Sequence, residues 1–204
     1  MASRVYADLV RPADPRLARL FDASLVAGFS LLIALSAQVA IPLPFTPVPV
    51  TLQTFAVILT GCLLGSGRGA LAALAYLAEG SIGLPFFSGG TSGLAHLLGP
   101  TGGYLVGCVA AAFAAGLLVE RGLARRWAGR LVTLVAADLT VFVFGVIWLG
   151  AFTGLAKAVT LGFLPFVVGD ALKVAAAWGI LEGVSLVVRS RTASGSSPRD
   201  TRRE

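Results

Sequence analysis

Leu164-Pro-Phe-Val-Val-Gly-Asp170-Ala-Leu-Lys173-Val-Ala-Ala-Ala-Trp178 places an acid and a base inside an apolar run that continues to Val188. The run reads as a membrane helix over Phe163–Val188. Asp170 and Lys173 are three residues apart, so they share one helical face, and the helical repeat puts Phe163 and Phe166 on that face too. A charge at the bilayer centre costs roughly 2.5–3.5 kcal/mol on insertion scales, so two within one turn need compensation. Two arrangements supply it. One is an ion pair bracing two helices. The other is a ligand site lined by aromatics, with a donor and an acceptor at its floor. The stretch alone leaves both open.

Composition fixes the class around this stretch. The chain has 204 residues, of which 56% are hydrophobic and only 13% charged, with a mean hydropathy of +0.87. These values mark an integral membrane protein, not a soluble core. Its 25 glycines suit closely packed membrane helices. The pI near 10.2 would fit a nucleic-acid binder. The basic residues, however, stand in short clusters between apolar runs, which is a topology signal and not a binding groove. No nucleic-acid partner is expected. Cys62 and Cys108 lie isolated in apolar segments, without zinc spacing or a disulfide framework, and read as small packing residues.

Six apolar spans follow in order: about Phe21–Ile41, Thr51–Leu64, Leu71–Leu84, Gly99–Val119, Leu131–Gly150 and Phe163–Val188. The fold expected is an all-α membrane bundle of six helices. Residues 1–20 form a polar N-terminal segment, 21–188 the membrane domain, and 189–204 a Ser- and Arg-rich disordered tail. Arginines ahead of the first span also fit a signal peptide, but the span is long and further spans follow it. In that span Ala23, Ala27, Ser30, Ala34 and Ala37 form a small-residue stripe that lets another helix approach, within the chain or from another subunit. Association with further copies of the chain stays open.

The prolines of Ile41-Pro-Leu-Pro-Phe-Thr-Pro-Val-Pro49 end the first span in a rigid extended loop. Gln53 and Thr54 open the second. Gly65–Ala70 reads as a tight turn; its match to the dinucleotide fingerprint lacks a preceding strand and a βαβ unit. Gly80–Pro100 is irregular and Gly-rich, with Phe86, Phe87, Ser88, Thr91 and the sole histidine, His96. Irregular backbone at membrane depth survives only when buried or lining a cavity. A lone histidine is a poor metal candidate, so His96 reads as a structural or loop residue. Tyr104, a turn inside the fourth span, either offers its hydroxyl to a ligand or anchors the interface.

Fourteen of the sixteen basic residues fall on the side of the two termini, with Lys157 opposite and Lys173 within a span. The positive-inside rule then puts both termini in the cytoplasm. Asp170 lies roughly 9 Å below the outer end of its span at 1.5 Å per residue. Asp138 and Glu182 lie toward the inner half, where arginines are available as partners.

The order Ile41-Pro-Leu-Pro-Phe-Thr-Pro-Val-Pro-Val-Thr-Leu-Gln53, Gly83-Leu-Pro-Phe-Phe87, Gly99-Pro-Thr-Gly-Gly-Tyr104 and Gly169-Asp170-Ala-Leu-Lys173 resembles the BioY family over about residues 21–188. These are the biotin-binding S components of bacterial energy-coupling-factor (ECF) transporters. The resemblance implies a six-helix S-component bundle in the cytoplasmic membrane with a vitamin pocket near its outer surface. It implies that Asp170 and Lys173 contact biotin, and that a transmembrane coupling subunit and two ATPase subunits drive uptake. Some members are proposed to work without that module. The family often carries an asparagine in the segment matching Phe87–Thr91; here Ser88 or Thr91 takes its polar role.

The chemistry is consistent. Biotin's ureido ring needs acceptors for two N–H groups and a donor for its carbonyl, which Asp170 and Lys173 supply. Phe86, Phe87, Phe166, Tyr104 and Gln53 are the further binding candidates, and Ala23, Ala27 and Ala34 the candidate partner interface. No cofactor is expected, since biotin is the cargo. The chain has no G-x-x-x-x-G-K-[ST] sequence for ATP, and no nucleophile–base pairing or metal cluster that would argue for an enzyme. The competing reading is a solitary ion-coupled transporter using Asp170 as its proton site.

Overall fold

The computed structural model describes residues 5–194, with side chains to residue 188. The described chain is mostly helical. A short 3-10 turn, Tyr6–Leu9, precedes α1 (Pro15–Gln38), whose N-terminus is capped by the Asp14 carboxylate on the Arg16 and Leu17 amides. The proline loop is closed at its base by two short antiparallel strands, β1 (Ala40–Ile41) and β2 (Val50–Thr51). Next come α2 (Gln53–Leu64), α3 (Ser66–Ser81), α4 (Leu94–Leu97), α5 (Gly102–Glu120), α6 (Trp127–Thr153), α7 (Leu155–Gly162) and α8 (Val167–Ser194).

Four stretches among the described residues are long and apolar enough to cross a membrane: α1, α5, α6, and the run Leu155–Val188 that holds α7 and α8. The helix α2 has 12 residues, about 18 Å at 1.5 Å per residue, short of the roughly 30 Å hydrocarbon core. It is nevertheless the most enclosed element, with Ala56, Val57, Ile58, Leu59, Thr60, Gly61 and Cys62 all buried. Gly61 makes that possible: a Cβ there would strike the Ala112 carbonyl and stand 2.9 Å from the Ala115 Cβ of α5. Gly69 of α3 packs on the same spot, its Cβ position 2.9 Å from the Gly61 Cα. Three helices therefore meet nearly backbone to backbone, as small residues allow in membranes. Large apolar side chains point outward instead: Leu35, Ile147, Val168 and Leu172 are among the most exposed. That inversion suits a lipid surround.

Several boundaries differ from the sequence expectation. The turn expected over Gly65–Ala70 narrows to Gly65 alone, at φ +90, and α3 starts at Ser66 because Glu120 caps it, its carboxylate accepting from the Ser66 amide at 2.7 Å and hydroxyl at 2.8 Å. The connection between the fifth and sixth expected spans, which carries Lys157, is the helix α7. The sixth span does not start as a helix at Phe163. Pro165 lies in a 3-10 turn, Leu164–Phe166, and α8 begins only at Val167. Phe163 thus lies outside that helix, and Asp170 lies in the first turn of its helix instead of well below the end. At the other end α8 runs on to Ser194, so the first residues of the expected tail are helical; the remainder, 195–204, lies outside the described residues.

Candidate ligand-binding site

The proline break fixes the site. Asp170 sits where the amides of α8 are unsatisfied and the helix dipole favours a carboxylate. Lys173, one turn on, brings Nζ to 2.7 Å from Asp170 Oδ1. Thr54, from the first turn of α2, joins them: Lys173 Nζ donates to its hydroxyl at 3.2 Å, and the hydroxyl reaches Asp170 Oδ1 at 3.5 Å. Asp170 is 4% exposed, so this charge pair is largely out of solvent. Among the described residues its Oδ2 has no hydrogen bond, and the ammonium uses two of its three donors. The floor keeps one acceptor and one donor in reserve.

The walls are aromatic. Phe142 meets Tyr104 edge-on at 6.4 Å between centroids and lies tilted to Phe166 at 6.2 Å. Tyr104 donates its hydroxyl to the Gly162 carbonyl at 2.8 Å, tying α5 to the end of α7. Gln53 is buried with its amide nitrogen 3.4 Å from Cys108 Sγ. Above the floor stand Ser88, His96 and Thr101, with Thr101 Oγ1 3.4 Å from His96 Nε2. Burial pushes the His96 pKa down, which keeps the ring neutral at pH 7.

These groups enclose a cavity of about 60 Å³. A second chamber of about 300 Å³ lies over it, lined by the proline loop through Pro42, Leu43, Thr46 and Pro47. The two share Pro49, Ser88, His96 and Thr101, so the outer chamber is the mouth of the inner one. The irregular segment is pinned beside this mouth by Gln38 at the end of α1. Its amide nitrogen donates to the Phe86 and Phe87 carbonyls at 3.1 and 3.2 Å, and its Oε1 accepts from Gly90 N at 3.0 Å.

Of the expected binding residues, Gln53, Ser88, Tyr104, Phe166, Asp170 and Lys173 line the inner cavity. Three do not. Phe87 is fully buried behind it, stacked on His96 at 5.2 Å and edge-on to Tyr76 at 5.8 Å. Phe86 packs on the same core cluster. Thr91 is exposed and spends its hydroxyl on the Ser88 carbonyl at 2.9 Å, shaping the turn. Conversely, Thr54 and His96 line the cavity although spacing did not single them out as ligand groups. Thr54 stands 116 residues from Asp170 in the chain, and only the packing of α2 on α8 joins them. The candidate partner stripe also divides. Ala23 and Ala27 are exposed, whereas Ala34 is 4% exposed in the chain's own core and unavailable to a partner. Glu182 pairs with Arg130 as expected, but among the described residues Asp138 pairs with no arginine.

Among proteins of known family, the BioY family model matches residues 11–190. The chain belongs to the BioY family. It is 43% identical over 161 residues to the probable biotin transporter BioY of Pyrococcus horikoshii, covering 79% of this chain and 94% of that protein. It is 40% identical over 150 residues to the biotin transporter BioY of Thermotoga maritima, covering 73% of this chain and 86% of that one. A solved structure, the S-component for biotin from an ECF-type ABC transporter, superposes with a TM-score of 0.73 at 28% identity, over 88% of this chain and 95% of that chain. The membrane bundle of the BioY member described here is thus an S-component fold.

Proposed function

We propose that this BioY-family chain is a multi-pass cell-membrane protein that takes up biotin, acting as the substrate-binding S component of an ECF-type transporter. One observation carries the choice of site: an aromatic cavity whose floor, Asp170–Lys173–Thr54, holds an unused acceptor and donor side by side. A ureido ring asks for that combination, and the apolar walls suit the thioether ring. The outer chamber gives room for the carboxylate chain. In this reading α1, α2, α3, α5, α6 and α8 are the six crossings, with both termini cytoplasmic. The short α2 relies on its neighbours and on the β-strand pair to complete its passage.

A coupling subunit and two ATPase subunits are the partners. The coupling subunit docks on the groove between α1 and α3 lined by Ala23, Val26, Ala27, Leu71 and Ala75. Calorimetry on the purified protein tests the substrate: biotin should bind, while thiamine and riboflavin should not. Binding of another vitamin in preference to biotin would reject the reading. Ala27→Trp tests the partner surface; it should abolish uptake in cells while biotin binding to the isolated chain stays intact. Equal loss of both would mean that the groove serves only the chain's own packing.

A further inference from the structure

Asp138 has no role in the site described above, yet it is 8% exposed in the middle of α6. Among the described residues it forms no hydrogen bond and no ion pair. It borders a cavity of about 330 Å³ between α6 and α8 that Asp170 and Phe142 also line. Asp170 and Phe142 line the inner ligand cavity as well, so they form the partition between the two spaces. Asp138 is within electrostatic reach of both Asp170 and Lys173.

A charge count frames its state. Among the described side chains, the titratable groups on the elements packed against α6 are Cys62 on α2, Tyr104, Cys108 and Glu120 on α5, Lys157 on α7, Asp170, Lys173 and Glu182 on α8, and Arg125 in the turn before α6, with Glu120 taken up by Ser66. Arg130 is committed to Glu182, Lys157 is exposed, and the Tyr104 hydroxyl is held by Gly162. Near Asp138 that leaves one cation, Lys173, for two carboxyl groups, and Asp170 already holds it. An ionised Asp138 would leave the cluster with a net negative charge away from water, which is costly without a partner. Biotin brings a further carboxylate and draws on Lys173 through its carbonyl, so the cost rises when the pocket fills.

We propose that Asp138 is a proton-binding site linked to biotin binding: it carries a proton in the biotin-bound protein, and its ionisation weakens the complex by competing for Lys173. The inference rests on the biotin reading of the pocket. Its sign follows from linkage: a group that holds its proton more tightly in the complex makes affinity fall as pH rises, by up to about tenfold per pH unit for one proton. Asp138 acts through Lys173 and is a positioning residue.

The test is titration calorimetry of full-length protein with biotin, from about pH 6 to about pH 9, in two buffers of different ionisation enthalpy. The wild type should take up a fraction of a proton on binding and lose affinity toward high pH. Asp138→Asn keeps the shape of a protonated carboxyl; it should bind with the wild type's low-pH affinity, show no pH slope and take up no proton. If that variant does not fold, Asp138→Ser replaces it with the same expected outcome. Wild-type affinity that is flat with pH and free of proton uptake overturns the proposal while leaving the biotin reading standing. So does a slope that survives in the Asp138 variant, which would place the proton on another group such as His96. Failure of the wild type to bind biotin at any pH overturns both.

Discussion

The two ends of the bundle treat charge in opposite ways. At the end that carries the termini, charges are spent on one another. Arg68 bridges Asp8 and Asp22, Arg11 joins Asp22 at 2.7 Å, and the Arg68 Nε donates to the Leu64 carbonyl at 3.0 Å. Glu120 caps α3, and Arg130 is buried against Glu182. At the opposite end the pair Asp170–Lys173 keeps hydrogen-bonding capacity unused and faces a cavity. The lesson is that an ion pair within a membrane bundle is not informative as such. What separates a brace from a site is whether the donors and acceptors are exhausted and whether space adjoins them.

That contrast can be broken by mutation. The largest effect should come from the end where charges pair with one another. Arg130→Met strands Glu182, and removing one partner of a buried pair costs about 3–5 kcal/mol. Because the Glu182 side chain is 32% exposed, the lower part of that range applies. Thermal unfolding in detergent should show the loss, with biotin affinity of the folded fraction unchanged. A stable variant with weakened biotin binding would reverse the assignment of the two ends. Thr54→Val should act more mildly and on the ligand: it removes one hydrogen bond from the floor, worth about 0.5–1.5 kcal/mol, so biotin should bind roughly two- to tenfold more weakly. Thr91→Val should leave affinity within experimental error, since its hydroxyl only shapes the turn at Ser88. A loss as large as that of Thr54→Val would put Thr91 in the pocket after all.

Much of this contrast was legible in the sequence, and the misses have physical causes. Spacing placed Asp170 and Lys173 together because a three-residue step is local. The helical step does not run back to Phe163, because Pro165 lies in a 3-10 turn between them; that ring packs on Phe142, 5.0 Å away, and borders the α6–α8 cavity with Asp170. The stripe in α1 is a continuous pattern of small residues, yet α3 and the irregular segment cover only its C-terminal half, so Ala34 is buried and Ala27 is not. Thr54, His96 and Gln38 were hard to see because their roles depend on contacts between distant segments. The one signal that could have pointed to Thr54 was a polar side chain next to Gln53 at the start of an otherwise apolar helix. Asp138 was expected to follow Glu182 to an arginine; the sequence contains enough arginines for both, but among the described residues packing offers only Arg130, and Glu182 takes it.

The most direct test of the account is biotin affinity across Asp170→Asn, Lys173→Met and the variant carrying both. If the pair only braces α8, each single change strands a buried charge and the double change relieves it. If the pair holds the ureido ring, each single change removes a charge-assisted bond worth about 1.5–3 kcal/mol, at least roughly tenfold in dissociation constant. Calorimetry should therefore find both single variants folded and at least about tenfold weaker, and the double variant no better than the worse single. Full affinity in the double variant would contradict the account and make Asp170–Lys173 a brace like those at the other end.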